Sequence, residues 1–111
     1  MVQYLTTGIL AAAILALGAA EASAQNFIST GRGHGVIDKF HDLAPGQGSP
    51  TAFAGTAVEI DGNGNPFQGI ATLWVSNIWP KRVNNLFTRV HYRVHADWGN
   101  DINYKVNILF E

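Results

Sequence analysis

The last quarter of this chain alternates between apolar and polar residues over two long runs. Across residues 86–98 the even-numbered positions are almost all apolar, whereas the odd-numbered ones carry Arg, His and Asp after an initial Phe. Residues 102–111 repeat the alternation. A period of two is typical of half-buried strands, which turn one face toward a core and the other toward water. We therefore expect these even-numbered residues to be buried: Leu86, Thr88, Val90, Tyr92, Val94, Ala96, Trp98, Ile102, Tyr104, Val106, Ile108 and Phe110.

The residues Gly99, Asn100 and Asp101 separate the two runs and predict a short turn between paired strands. A shift of one residue in the pairing would move every side chain to the opposite face, so the apolar pattern sets the register of such a hairpin. The register predicts these neighbours: Trp98 opposite Ile102 on the inner face, with His95 beside Lys105 and Arg93 beside Asn107 on the outer face.

Two further strands are predicted in the middle of the chain. Segments 51–60 and 67–78 flank the sequence Asp-Gly-Asn-Gly-Asn-Pro, whose residues tolerate the positive φ angles of a hairpin turn. We interpret the segments as antiparallel partners, with Trp74 in the core and another turn at 79–85. Residues 36–41 are a short strand or a single helical turn. The predicted fold class is all-β: a small antiparallel sandwich or barrel, mainly a meander of four long strands plus one short strand.

The first 24 residues have the pattern of a secretory signal peptide. Their apolar stretch, 9–20, is too short for a transmembrane helix. The small residues of Ala22-Ser23-Ala24 then suit signal peptidase, which predicts a mature chain that begins at Gln25. We expect a secreted or periplasmic protein with no membrane span after cleavage. Residues 25–50 are rich in Gly and Pro and are predicted to be partly flexible, whereas 51–111 are predicted to form the antiparallel domain.

Size, charge and the absence of cysteine restrict the partners. Removing 24 of the 111 residues leaves 87, and removing Glu21 leaves seven acidic residues against seven basic ones. A chain with no net charge is not expected to bind nucleic acid, which requires a basic surface. The chain contains no cysteine, so neither disulfides nor thiol chemistry are available. A domain this small without disulfide bonds is expected to form a homo-oligomer.

The outer face of the predicted hairpin is the first candidate binding site. Arginine recognises carboxylate, sulfate and phosphate groups with two hydrogen bonds, and histidine gains charge as the pH falls through about 6.5. The turn adds an indole beside amide and carboxylate groups, a combination that suits sugars. The alternative is a solvated sheet face that serves only solubility. The candidate ligand-binding residues are Arg89, His91, Arg93, His95 and Lys105 on the face, and Trp98, Asn100 and Asp101 at the turn.

No cofactor, metal or catalytic group is predicted. On one strand His91 and His95 would stand about 13 Å apart, too far to share a metal ion. The turn at 61–65 places oxygen ligands at alternate positions, but it lacks the acidic twelfth residue of an EF-hand, so calcium binding remains an alternative to a plain turn. The sequence contains no nucleophile elbow, P-loop or dinucleotide fingerprint.

These patterns favour an exported, non-enzymatic β-sheet domain that recognises a glycan or an anionic ligand through a cationic sheet face. The alternative is a structural, self-assembling subunit of an extracellular oligomer or filament. In that case exposed strand edges, with residues 25–35 as an added strand, would join the copies.

Overall fold

The alternating sequence produces six β-strands within residues 25–111, the part of the chain that the computed structural model describes. The predicted signal peptide lies outside the described residues. A single turn of 3-10 helix occupies Pro45–Gln47. None of the described residues forms a helix long and apolar enough to cross a membrane. The strands are β1 (Gln25–Gly33), β2 (Gly35–Asp42), β3 (Phe53–Glu59), β4 (Thr72–Val83), β5 (Phe87–Asp97) and β6 (Ile102–Phe110).

The strands form two antiparallel sheets that pack face to face as a sandwich. Sheet A has the order β1-β6-β3 and sheet B the order β2-β5-β4. The even-numbered residues of the central strands β5 and β6 fill the core, as the alternation predicts, but Leu86 and Trp98, which flank β5 and were also expected to be buried, are 69% and 40% exposed. Within the two strands the exclusion of the even-numbered residues from water is nearly complete, since Val94 and Val106 are both 0% exposed. The predicted class, an all-β antiparallel sandwich, is confirmed.

The predicted hairpin pairing of the last two strands is wrong. β5 lies in sheet B and β6 in sheet A, so these strands face each other across the core instead of lying side by side. His95 is paired with Val36 and Trp74, whereas Lys105 is paired with Thr30 and Val58. The alternation identifies the buried face of each strand correctly. The alternation does not show whether two strands with buried faces lie side by side in one sheet or opposite each other in two sheets.

The predicted pairing of 51–60 with 67–78 is wrong for the same reason. β3 belongs to sheet A and β4 to sheet B, and an isolated bridge between Ile60 and Pro66 is what remains of the hairpin. Most connections in this chain therefore cross between sheets. Among the described strands, β4 and β5 are consecutive in the chain and lie side by side in the same sheet. The turn that joins them contains Asn84 and Asn85, whose φ angles are 51° and 58°. Positive φ at both positions is what a type I′ turn requires.

Two edge strands, β1 and β2, occupy most of the Gly-rich segment that follows residue 24. β1 pairs along its length with β6, and β2 pairs with β5. Side chains from the two edges meet between the sheets: the Phe27 and His41 rings stack at 4.1 Å. The Lys39 ammonium donates to Ser29 Oγ at 3.3 Å and to the Thr30 carbonyl at 3.1 Å. These contacts close this side of the sandwich.

A β-bulge in β4 changes which residues face outward. The pairing of β4 with β5 shifts between Ser76 and Trp79, and Asn77 adopts a left-handed φ of 54°. An extra residue in one strand reverses the alternation beyond it. Val75 before the bulge and Ile78 within it both pack on the core. Trp79 consequently lies on the outer face together with Ser76.

We expect the left-handed conformation at the bulge to select against a β-branched residue. Asn77→Val should lower the free energy of unfolding by roughly 1–2 kcal/mol, because the left-handed region is strained for such side chains. Asn77→Gly should change it by less than about 0.5 kcal/mol. Urea denaturation measures both. Thr72→Val, at an exposed position of the same strand, is the control, and equal losses for Thr72→Val and Asn77→Val would contradict the assignment.

The stacked His41 should make the fold less stable in acid. Burial holds the pKa of His41 below its usual value of 6.5, although Asp42 opposes the shift. As the pH falls below that value the unfolded chain takes up a proton before the folded one does, so stability decreases toward the lower, folded-state pKa. His41→Phe keeps a ring against Phe27 and removes the titration.

Urea denaturation at about pH 7.5 and about pH 5.5, on either side of the usual histidine pKa, tests this expectation. The loss of stability between the two values should be smaller in the His41→Phe variant than in the natural protein. The same loss in both proteins would show that the pKa of His41 does not differ between the folded and unfolded states.

Candidate functional site

The outer face of sheet B carries a continuous array of aromatic, histidine and ion-paired side chains. The central strand β5 contributes Arg and His alternately, and β2 and β4 supply a neighbour on each side. We call this surface the aromatic–histidine face. Its four cross-strand rows, each written from β2 through β5 to β4, are Val36–His95–Trp74, Asp38–Arg93–Ser76, Phe40–His91–Trp79 and Asp42–Arg89–Lys81.

Each histidine of β5 is stacked against a tryptophan of β4. The Trp74 and His95 rings lie 4.6 Å apart and 4° from parallel, and the Trp79 and His91 rings lie 4.3 Å apart and 10° from parallel. Ser76 Oγ lies 2.7 Å from His95 Nε2, which further orients that imidazole. Despite the stacking, Trp74 is 44% exposed and Trp79 is 48% exposed. Two large rings are thus held in fixed orientations at the surface.

Both arginines on this face are neutralised by carboxylates of β2. Arg93 Nε donates to Asp38 at 2.7 Å, and Arg89 donates to both oxygens of Asp42 at 2.7 and 3.2 Å. The hydrogen bonds from these guanidinium groups lower the pKa of both aspartates, which stay ionised at neutral pH. The face is therefore not cationic in the way that β5 alone predicts: two arginines and Lys81 against two aspartates leave a single net positive charge when the histidines are neutral.

A cleft of about 510 Å³ lies beside the stacked rings of Trp79 and His91. The shifted register at the bulge brings Asn77 to the rim beside Trp79. Asp38 and Arg93 also line the cleft, so aromatic, amide, imidazole and ion-paired groups border one space. The residues that line it are Asp38, Lys39, Asn77, Ile78, Trp79, His91, Tyr92 and Arg93.

The predicted site residues are divided among three places. Arg89, His91, Arg93 and His95 lie together on the aromatic–histidine face, but Lys105 lies on the outer face of sheet A. Since the two outer faces point in opposite directions, a small ligand cannot contact Lys105 together with β5. The predicted five-residue cationic surface is wrong in this respect.

Trp98, Asn100 and Asp101 lie in the connection from β5 to β6, at one end of the sandwich. Trp98 is 40% exposed and does not face Ile102, which is paired with Gly33. The Asp101 carboxylate lies 2.6 Å from His34 Nδ1 in the connection between β1 and β2. This contact joins the β1–β2 and β5–β6 connections at that end. Trp98, Asn100 and Asp101 form a candidate binding site separate from the aromatic–histidine face.

The sequence interpretation missed the aromatic half of the aromatic–histidine face. It assigned Trp74 to the core, whereas Leu73 and Val75 on either side of it are the residues that pack on the core. Applying the period-two rule to residues 72–76 would have turned Trp74 outward. Trp79 was not accessible to that rule, because the bulge reverses the alternation before it. Phe40, the ring beyond His91 on β2, is 55% exposed and was also missed.

The turn at 61–65 is stabilised by its own aspartate. Asp61 Oδ1 accepts hydrogen bonds from the backbone amides of Asn63 and Asn65 at 2.8 and 2.9 Å. This is an Asx-type turn, which uses the oxygen that a calcium loop would direct at the ion. Within residues 25–111 no group of three or more His, Cys, Asp or Glu side chains is arranged to hold a metal ion.

No protein-family model, curated protein or solved structure matches this chain. The chemistry of the described residues is therefore the basis for inferring a function.

The neutralisation of the arginines has a measurable consequence. Asp38→Asn should strengthen retention on a sulfated polysaccharide resin, because it leaves the Arg93 charge without its partner. Asp61→Asn makes the same change in net charge at a distant turn and is the matched control. We expect Asp38→Asn to elute at higher salt than Asp61→Asn. Equal elution of the two variants would mean that Asp38 does not offset Arg93 on this face.

Proposed function

We propose that this chain is an exported, non-enzymatic domain that binds an oligosaccharide on the aromatic–histidine face. The observation that carries the proposal is the pair of half-exposed tryptophans, each held in a parallel stack with a histidine. Large exposed aromatic groups on one face of a small domain are unusual unless they meet a ligand or partner. The leader-like sequence before Gln25 supports an extracellular or periplasmic location.

Stacking on sugars explains why these rings are fixed and exposed. The C–H faces of a sugar ring pack against the electron-rich face of an indole. The imidazoles of His91 and His95 cover one side of each indole. Because β4 is an edge strand, no further strand of sheet B covers the other side. A ring that is already oriented loses little side-chain entropy when it binds, which favours recognition of a weakly interacting ligand.

The spacing of the two stacks favours a chain of sugars over a single one. His91 and His95 are four residues apart on β5, and each tryptophan lies directly opposite one of them. At about 3.3 Å per residue the two indoles are separated by about 13 Å along the strand. Ser76, the β4 residue of the row between them, places a hydroxyl group beside the intervening sugar, whereas Asp38 and Arg93 of that row lie on the histidine side of the indoles. The Asn77 amide adds a further polar group at the cleft.

The ion pairs favour a neutral glycan over a free anion at neutral pH. An anion would have to compete with Asp38 and Asp42 for the arginine donors, which both aspartates already occupy. Hydroxyl groups can instead bond to the outer atoms of these pairs without separating them.

Replacing single tryptophans tests the proposal. Screening a panel of neutral oligosaccharides by calorimetry should identify a ligand, and Trp74→Ala and Trp79→Ala should each weaken its binding roughly five- to thirtyfold. That range corresponds to about 1–2 kcal/mol, the usual cost of removing an aromatic anchor from an interface. Because both rings are half-exposed, circular dichroism should show that the variants remain folded.

Trp98→Ala is the matched control, since its side chain is similarly exposed but lies in the connection between β5 and β6. Its affinity should match that of the natural protein. If Trp98→Ala abolished binding while the other two variants bound normally, the end of the sandwich would be the glycan site. Binding confined to sulfated or carboxylated ligands, and lost in Arg93→Ala, would instead favour an anion site.

A further inference from the structure

Within residues 25–111, the edge strand β1 lacks the proline, bulge, acidic residues and covering loop found at the other edges, and its free edge is contacted by the Lys39 ammonium at the Thr30 carbonyl. An exposed edge presents unpaired amides and carbonyls, and natural sandwiches block such edges with proline, bulges, charges or covering loops. β1 is nine residues long, and its pairing with β6 continues without a shift. It contains neither proline nor an acidic residue. Its one charged residue, Arg32, is the penultimate residue of the strand.

Each of the other edges carries at least one such protection. β4 has the bulge at Asn77 and a proline, Pro80, within the strand. β2 carries Asp38 and Asp42 on its outer side, and it also has an inward-pointing charge, Lys39. The end of β3 is covered by the loop that follows it, since the Phe67 amide donates to the Glu59 carbonyl at 3.2 Å.

We propose that β1 pairs antiparallel with β1 of a second copy, which extends sheet A into a continuous six-stranded sheet. Pairing all nine residues places Ser29 on the two-fold axis, opposite Ser29 of the second copy. This register pairs odd-numbered residues with odd-numbered ones, so that the inward and outward faces of sheet A are preserved across the junction. A two-fold interface of this kind closes on itself and gives a dimer, not a filament.

The side chains of β1 are complementary in this register. On the outer face it places Arg32 opposite Asn26 of the second copy, so that the one charge of the strand does not meet itself. On the inner face Phe27, which is buried in the core of its own copy, lies opposite Gly31 of the second copy, so two large side chains do not meet at this position. Gly31 is itself required by the fold, because a Cβ there would collide with the Tyr104 hydroxyl.

The dimer leaves the aromatic–histidine face accessible. β1 and β2 lie on the same side of the sandwich, joined by the contact between Phe27 and His41. β4, which carries both tryptophans, lies on the other side, where it packs near Gly55 of β3. The pairing of β1 does not depend on glycan binding, so the two proposals can fail separately.

Charge substitutions at the junction test the register. Asn26→Lys places a lysine opposite Arg32 of the second copy in both symmetry-related rows, whereas Asn26→Glu creates two favourable pairs. Analytical ultracentrifugation of protein purified after expression of the full-length chain measures the dimer dissociation constant. We expect Asn26→Lys to raise it and Asn26→Glu to lower it, each roughly two- to thirtyfold, from two cross-strand charge pairs.

Two further variants separate this register from a general charge effect. Thr56→Lys adds the same charge to the outer face of sheet A on β3, at the far edge, and should leave the dissociation constant unchanged. Adding Arg32→Glu to Asn26→Lys reverses the pair and should restore dimerisation. A monomeric natural protein at every concentration would overturn the proposal. Equal weakening by Asn26→Lys and Thr56→Lys, or equal dissociation constants for Asn26→Lys and Asn26→Glu, would also overturn it.

Discussion

The structure depends on the burial of one face of β5 against one face of β6. These central strands come from different sheets, and their even-numbered side chains form most of the core: Val90, Val94, Val106, Ile108 and Phe110 are all fully excluded from water. Burial of a large aliphatic side chain contributes about 1.5–3 kcal/mol, so this one layer of contacts outweighs any surface interaction in the molecule. A chain without cysteine has no covalent substitute for it, and both sheets are built around these two strands.

Because the core uses only one face of each central strand, the opposite faces are free to carry other chemistry. The outer face of β6 has Arg32 as its one charged cross-strand neighbour, whereas that of β5 lies between Asp38 and Asp42 on one side and Trp74 and Trp79 on the other. The same Arg-His-Arg-His sequence would form a strongly cationic stripe if its neighbours were neutral. Its actual neighbours make it a nearly neutral, aromatic surface. The chemistry of this face is therefore a property of sheet B and not of β5 alone.

This dependence on neighbours explains what the sequence predicted and what it did not. Alternation depends on the local environment of each strand, so the buried residues of β5 and β6 and the all-β class were predictable from period two alone. Strand order depends on contacts between distant residues, and a short connection such as 98–101 fits either a hairpin or a crossing between sheets. The His95–Lys105 pairing failed for that reason. The outward orientation of Trp79 could not be predicted from the sequence, because a bulge needs just one residue in the left-handed region and Asn77 is compatible with both conformations.

The bulge also shows why the two tryptophans belong to one surface. Trp74 and Trp79 differ by an odd number of residues, so in a regular strand one of them would point inward. In the bulged strand the space beside Gly55 is filled by the side chains of Val75 and Ile78. The bulge instead turns Ile78 toward the core and Trp79 outward onto His91. One irregularity thus fills the core with an aliphatic side chain and completes the second aromatic stack.

A purely structural role for Trp79 would require neither its 48% exposure nor its position on the same outer face as Trp74. This arrangement of β4 is the structural basis of the proposed glycan site.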